Sequence, residues 1–244
     1  MVEGKAAEPP NKEPVETARA HQTRRRTRIQ EENEKRILDA ALEIFSSYGL
    51  RGATIDQIAA GAGMTKPNLL YYFRRKNDIY LALLRRTLED WLRPLEALGA
   101  GDDPREELRA YLDRKLDMSR DNPKASRLYA MEMLQGAPVL GIVLGTRLKS
   151  LVDEKTALMR RWIAEGRMAP VDPHHLIFMV WATTQHYADF EVQVRAVLGE
   201  KADGDRHFAA ATRAVEDVIL NGIFGAGACS SIDASVSGEK SAKQ

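Results

Sequence analysis

The chain has 244 residues, of which 44% are hydrophobic, and its formal net charge at pH 7 is +1. This composition supports the buried core of one or two domains and excludes a chain that is disordered throughout. No apolar run approaches the ~20 residues of a membrane span, the N-terminus lacks an apolar signal segment, and Cys229 has no second cysteine to pair with, so we expect a cytoplasmic protein.

The charge of the chain is unevenly distributed. Residues 24–86 hold 13 Lys/Arg against 7 Asp/Glu, and the remaining residues are mildly acidic. Four of these cations form a cluster: Arg24, Arg25, Arg26 and Arg28. A basic N-terminal third on an acidic body is typical of a DNA-binding region attached to a larger domain.

Segments without helical periodicity lie at both ends of the chain. We predict a disordered extension with a basic end at 1–30 and a disordered tail, rich in Ser, Ala, Gly and Lys, at 225–244. Sustained β-type alternation is missing between them, so the predicted fold class is all-α. We place a DNA-binding domain at 31–78 and a larger helical domain for ligand binding and dimerisation at 79–224.

The first predicted helix shows a clear apolar face, and Gly49 is expected to end it. The residues of this face recur at helical spacing: Ile37, Ala40, Ala41, Ile44 and Phe45. Thr54 and Thr65 are expected to cap two short helices, with Pro67 in the first turn of the second. Asn77 is expected to cap a fourth helix that reaches about Leu98.

The stretch TIDQIAAGAGMTKPNLLYYFRRK (54–76) predicts two short helices joined by a glycine-containing turn, which is a helix-turn-helix. A lysine can bind a phosphate or guanine, an asparagine can pair with adenine, and a tyrosine hydroxyl can bind a phosphate. Tyr72 also fits the core, as does Phe73. The candidate DNA-facing residues are Thr54, Thr65, Lys66, Pro67, Asn68, Tyr71, Tyr72 and Lys76.

Further helices are predicted at about 104–120, 124–134, 138–164, 173–197 and 205–224. On the fourth of these, Trp181, Gln185 and Asp189 share one stripe because they are spaced at i, i+4 and i+8. The stripe fits a pocket wall, but a solvated face or a dimer seam remains open. Adjacent His174 and His175 point about 100° apart on a helix, so no metal site is expected.

Residues 37–80 resemble the DNA-binding domain of TetR-family regulators, with "YG" after the first helix, "T…IA…AG", then "LYYF" and a following lysine. This resemblance implies that Thr54, Lys66, Pro67, Asn68, Tyr71 and Lys76 face DNA. It also implies a homodimer that pairs through the last two long helices. The extension, the tail and the loop 199–204 depart from the family pattern, which leaves open whether the arginine cluster reaches a minor groove.

The segments DNPKASRLYAMEMLQGAP (121–138) and DPHHLIFMVWATTQHYADF (172–190) resemble a pyrimidine-responsive branch of this family. The resemblance implies that uracil or thymine is the effector, that its binding releases a palindromic operator, and that the regulated genes serve pyrimidine and nitrogen metabolism. It implies no other cofactor and no catalytic residue.

An imide edge suits the stripe, because one glutamine amide can meet its N–H and a carbonyl together while an indole covers the ring. The candidate ligand-binding residues are Arg127, Glu132, Trp181, Gln185, His186 and Asp189. An orotate-like or other planar imide fits nearly as well. Two other classes remain open: an enzyme that uses Glu132 or His186, and a nucleoid-type binder without operator preference.

Overall fold

The structure is a computed structural model that describes the backbone of residues 13–199 and 205–225 and the side chains of residues 28–199 and 206–225. Every regular element in these ranges is helical, which confirms the all-α class. The elements are α1 (Glu13–Gly52), α2 (Ile55–Gly61), α3 (Lys66–Tyr72), α4 (Lys76–Ala97), α5 (Pro104–Asp121), α6 (Pro123–Leu134), α7 (Gly141–Val143), a π-helical turn (Leu144–Leu148), α8 (Lys149–Ala164), α9 (Pro173–Asp189), α10 (Glu191–Leu198) and α11 (Asp205–Phe224).

The chain divides into two compact units, Met1–Leu83 and Leu84–Gln244. The division falls inside α4, five residues beyond the predicted boundary at 78/79. Within the described residues, no helix combines the length and apolarity that crossing a membrane requires.

The first unit is built around aromatic and aliphatic side chains of α1 to α4. Phe45 of α1 is fully buried, and its ring meets that of Tyr80 edge-on with centroids 5.1 Å apart. Ile58 of α2 and Leu69 of α3 are also fully buried. The short helices α2 and α3 are therefore held by their inner residues, which leaves their polar faces outside.

Helix α1 begins at Glu13, so the predicted disorder of residues 1–30 is wrong from that residue onward. Pro14 lies in the first turn, where its missing N–H costs nothing, and the Glu, Ala, Arg and Gln that follow are good helix formers. Residues 1–12 and 226–244, with Cys229, lie outside the described residues, as do the side chains of Arg24, Arg25 and Arg26. Gly49 interrupts α1 with φ 65°, as expected of a helix-ending glycine.

The turn between α2 and α3 is fixed by caps and by one glycine. Thr54 forms a capping box with Gln57, and the Thr65 side chain accepts the N–H of Asn68. Gly63 has φ 64°, a left-handed conformation that costs other residues energy. A Cβ there would also lie 3.1 Å from the Arg36 guanidinium, which donates to the Ala62 carbonyl. The predicted helix-turn-helix is thus present.

The second unit is centred on α5, which packs against α6, α9 and α11. Its buried side recurs at helical spacing, and it includes two polar side chains among the apolar ones. The residues of this side are Leu108, Tyr111, Leu112, Lys115, Leu116 and Ser119.

Two of the predicted helices of this unit are interrupted. The helix expected at 138–164 begins only at Gly141 and contains the π-helical turn before α8. The helix expected at 173–197 is broken at Phe190, whose φ −114° and ψ 31° end α9 and precede α10. Its start agrees with the prediction, since Asp172 accepts the N–H groups of His174 and His175 and Pro173 follows.

Candidate DNA-binding and effector sites

The outer side of the helix-turn-helix carries most of the predicted DNA-facing residues. Six of them are exposed: Thr54, Thr65, Lys66, Pro67, Asn68 and Tyr71. Tyr71 leaves 72% of its surface exposed, which is unusual for an aromatic residue on a well-packed helix. We call this set the α3 surface. It presents a cation, an amide and a phenol on and beside one short helix.

The two lysines of this prediction have partners within the unit. Lys66 forms an ion pair with Asp56 of α2 at 2.9 Å, with both side chains largely exposed. Such a pair contributes little to stability, so a phosphate or a base can replace it at low cost. Lys76 donates from Nζ to the carbonyl of Ala53 at 2.6 Å and to that of Arg51 at 3.3 Å. The Lys76 ammonium therefore ties the segment after Gly49 to the start of α4.

Tyr72 and Phe73 are half-buried, so Phe73 is less deeply placed than predicted. The Tyr72 hydroxyl accepts a hydrogen bond from Asn33 Nδ2 at 2.8 Å, and its ring meets Tyr71 edge-on. Tyr72 thus supports the α3 surface from α1.

Sequence analysis did not select Arg74, although it follows the recognition helix directly. Its side chain is exposed, and no acceptor for it lies in the part of the chain that the structure describes. The signal was available in the "YYFRRK" run, where the first arginine has no acidic neighbour at helical spacing.

In the second unit, α9 brings two members of the predicted stripe into the interior. The Trp181 indole donates to the Tyr111 hydroxyl at 2.7 Å, and Asp189 accepts a hydrogen bond from the Ser126 hydroxyl. Gln185 lies between them on α9 and is half-buried. Its amide has no hydrogen-bond partner among the described residues. A half-buried amide without a partner is suited to receive a ligand.

Lys115 of α5, which sequence analysis missed, lies beside this stripe. Only 2% of its surface is exposed, and its ammonium lies 4.3 Å from the centroid of the Trp91 ring. Tyr129 of α6 contacts the same indole, with centroids 5.5 Å apart. A lysine inside the apolar stripe of α5 was the signal, because buried lysines are rare without a specific partner.

Burial controls the protonation of this group of residues, which we call the buried polar cluster: Trp91, Tyr111, Lys115, Ser126, Tyr129, Trp181 and Asp189. Burial lowers the pKa of Lys115 to about 7, although the nearby Asp189 carboxylate opposes this. Burial also raises the pKa of the Asp189 carboxyl and raises that of Tyr129 to about 12. The cluster therefore contains an ammonium that can change its charge near neutral pH.

Three other predicted ligand residues lie elsewhere. Arg127 donates to the Ala188 carbonyl at 3.1 Å and pairs with Glu191 at 3.0 Å, so it holds the end of α9. Glu132 is 2% exposed and accepts the N–H groups of Val139 and Leu140.

His186 is exposed and stacks on Phe190, with centroids 5.1 Å apart. Its position on the outer side of α9 separates it from the buried polar cluster. A search of the described residues finds no group of three or more His, Cys, Asp or Glu able to hold a metal ion.

Comparison with known proteins places this arrangement in a class. The model of bacterial regulatory proteins of the tetR family matches residues 37–83, and the model of the C-terminal region of YcdC-like proteins, a TetR-type domain, matches residues 84–225. The chain belongs to the TetR family of helix-turn-helix transcription regulators.

Among its relatives is the HTH-type transcriptional regulator RutR of Escherichia coli O157:H7, which is 48% identical over 201 residues, 82% of this chain and 95% of the relative. RutR of Escherichia coli strain K12 is 47% identical over the same shares. The chain is therefore a DNA-binding, ligand-responsive regulator of transcription and not an enzyme.

Solved structures share the fold. A TetR-like transcriptional regulator from Rhodococcus sp. RHA1 superposes with TM-score 0.57 and 25% identity, covering 78% of this chain and 94% of that one. The structure of AibR with isovaleryl coenzyme A and operator DNA superposes with TM-score 0.58 and 16% identity, covering 79% and 98%.

Proposed function

We propose that this regulator binds a near-palindromic operator as a homodimer and is released from it by a pyrimidine base, uracil or thymine, to control genes of pyrimidine and nitrogen metabolism. The observation that carries the effector half of this proposal is the unpartnered amide of Gln185 beside the buried polar cluster. The 48% identity to RutR supports a shared effector class.

The α3 surface supplies the groups that operator reading needs. Asn68 can form a bidentate pair with adenine and Lys66 can donate to guanine, while Tyr71 and Arg74 are placed to bind phosphates. The exposed N-termini of α2 and α3 add backbone N–H groups that attract phosphate. In a dimer, two such helices about 34 Å apart would match successive major grooves.

Exposed apolar side chains on α9 and α11 support the homodimer. Phe178 and Met179 leave about half of their surface exposed, at 49% and 53%, and Val218 of α11 leaves 74% exposed. Apolar groups clustered on two long helices favour burial against an identical surface. A second copy of the chain is the occupant that the family relationship predicts.

The buried polar cluster and Gln185 match a pyrimidine base in chemistry. The Gln185 amide can accept the ring N–H and donate to the adjacent carbonyl of the imide edge. The Lys115 ammonium can donate to a second carbonyl. The hydrogen bond from Trp181 to Tyr111 fixes the indole as a flat wall for the ring.

Helix α4 provides a route from the effector to the DNA-binding unit. Trp91, which contacts Lys115 and Tyr129, lies on α4, and the same helix begins at Lys76 in the first unit. A base bound beside Trp91 would favour one position of α4 over another. It releases the operator only as far as it binds the DNA-incompetent arrangement more tightly, and such coupling typically amounts to about 1–3 kcal/mol.

The experiment has two steps. An operator is selected from random duplexes with the purified full chain, and its affinity is then measured by fluorescence anisotropy with and without uracil, thymine, cytosine and hypoxanthine. We expect a symmetric operator that uracil or thymine releases with at least a fivefold loss of affinity. An operator without symmetry would contradict the dimeric reading, and no response to either base would contradict the effector.

A second effector class is favoured by one observation, the buried ammonium of Lys115. A cation enclosed at this position also suits a planar imide that carries a negative charge, such as an orotate-like carboxylate. Adding orotate to the same titration distinguishes the two, since release by orotate alone would replace the neutral base as effector.

A further inference from the structure

A groove lies on the second unit between α4 and α5, and neither the operator nor the proposed effector accounts for it. Its volume is about 380 Å³, which is within the size range of small-ligand pockets. Its lining residues belong to the last turns of α4 and the first three turns of α5: Arg93, Pro94, Ala97, Leu98, Glu107, Ala110, Tyr111 and Arg114.

One end of the groove is cationic. The short connection at 98–103 makes α4 and α5 run in opposite directions, so Arg93 and Arg114 lie at the end away from this connection. Arg114 is exposed and has no acceptor among the described side chains and backbone groups. Arg93 has only an exposed pair with Asp90 at 3.0 Å, which an incoming anion can replace at low cost.

The other end of the groove is closed by a carboxylate that is already engaged. Glu107 accepts the N–H of Gly99 at 2.7 Å with one oxygen and that of Gly101 at 2.6 Å with the other. It therefore holds the connection between the helices and repels an anion from that end. The walls between the two ends are apolar, formed by Pro94, Ala97 and Ala110.

We propose that this groove is a second small-molecule site, which takes a small organic anion: a carboxylate or phosphate group held by Arg93 and Arg114, with a planar apolar body lying between Pro94 and Ala110. Two guanidiniums can hold such a head group by paired N–H donors, because both groups are planar and match in geometry. The inference goes beyond the proposed function, since the effector residues Gln185 and Lys115 do not line the groove.

The test uses the full chain, isothermal titration calorimetry and three probes of one shape: 2-naphthoate, 2-naphthyl phosphate and the uncharged 2-naphthamide. We expect one site per chain for the anions and at least tenfold weaker binding of the amide. A preference between the two anions separates a carboxylate ligand from a phosphate ligand.

Three variants locate the site. Arg114→Gln should weaken anion binding at least tenfold, and Ala110→Phe should do so by filling the groove; both residues are exposed, so folding should be unaffected. Arg161→Gln, an exposed arginine of α8, is the matched control. Equal binding of the amide, unchanged binding by Arg114→Gln, or an equal loss in Arg161→Gln would overturn the proposal.

A fourth variant separates this proposal from the proposed function. Gln185→Ala should leave naphthoate binding unchanged even if it removes the response to uracil. Loss of naphthoate binding in Gln185→Ala would place the anion at the buried polar cluster and overturn the groove site, while a regulator that ignores uracil but binds naphthoate through Arg114 would sink only the effector proposal.

Discussion

The two units of the chain arrange their polar side chains in opposite ways. On α3 the polar groups are exposed, and their partners are neighbours within the helix-turn-helix, such as Asp56 for Lys66. In the second unit, the polar groups of α5, α6 and α9 are buried and bind one another across helices, as Tyr111 does with Trp181. The difference teaches that a surface made for exchange with a polymer needs weak, replaceable contacts, whereas a small-molecule site needs fixed ones.

Removing both base-reading groups of α3 should break the first half of this comparison and gives the largest expected effect. Each base contact is worth about 1–3 kcal/mol, so Lys66→Ala combined with Asn68→Ala should weaken operator binding by about 100-fold. The melting temperature should hardly change, because both side chains are exposed. Fluorescence anisotropy and thermal unfolding measure the two effects.

Lys149→Ala is the matched control, since Lys149 is an exposed lysine that forms one exposed ion pair, with Asp153. Full operator affinity in the α3 double variant would show that the α3 surface does not read bases.

Replacing Glu132 should show that buried groups of the second unit act by holding structure. In Glu132→Leu the N–H groups of Val139 and Leu140 lose their acceptor, and unsatisfied buried groups cost about 1–3 kcal/mol each. We expect the free energy of unfolding in urea to fall by about 3 kcal/mol. Glu165→Leu, at an exposed site, should change it little; equal losses would contradict this role.

The charge of Lys115 should make stability depend on pH. Its pKa in the folded chain is lowered to about 7 from 10.5, so between these values the unfolded chain binds more protons. Stability from this group therefore rises with pH in that window. Relative to Lys115→Met, the parent chain should gain about 1 kcal/mol or more in unfolding free energy between pH 7 and pH 10. A constant difference would mean that the ammonium is not desolvated.

The smallest expected effect concerns Lys76, which ties α1 to α4 through two carbonyls and is also a candidate phosphate contact. If it binds a phosphate, Lys76→Met should lower the slope of log affinity against log salt by about 1. Operator titrations between 50 and 200 mM salt, a range typical of such measurements, check this. An unchanged slope with a lower melting temperature would leave Lys76 only its role inside the unit.

The sequence predicted the helix-turn-helix well because its signals are local. Caps at Thr54 and Thr65 act on N–H groups two or three residues away, and the exposed or buried side of a short helix follows from spacing alone. The break at Phe190 and the π-helical turn at 144–148 have no such local signal, and neither was predicted.

The effector site was only partly predictable, since its contacts join residues far apart in the chain. Trp181 and Asp189 were selected from one helix, but their partners Tyr111 and Ser126 lie on α5 and α6. Lys115 was missed because spacing cannot show whether a lysine in an apolar stripe is buried or reaches solvent. Glu132 was expected to meet a ligand, whereas its neighbours in the following turn supply donors that no periodicity reveals.

The central claim is that operator reading and effector recognition depend on different units, and Gln185→Ala tests it most directly. Operator affinity of this variant and of the exposed-site control Gln193→Ala is measured by anisotropy across a uracil titration. We predict that Gln185→Ala binds the operator as tightly as the parent chain and is no longer released by uracil, while Gln193→Ala behaves as the parent does. Release of Gln185→Ala at the parent's uracil concentration would contradict the account.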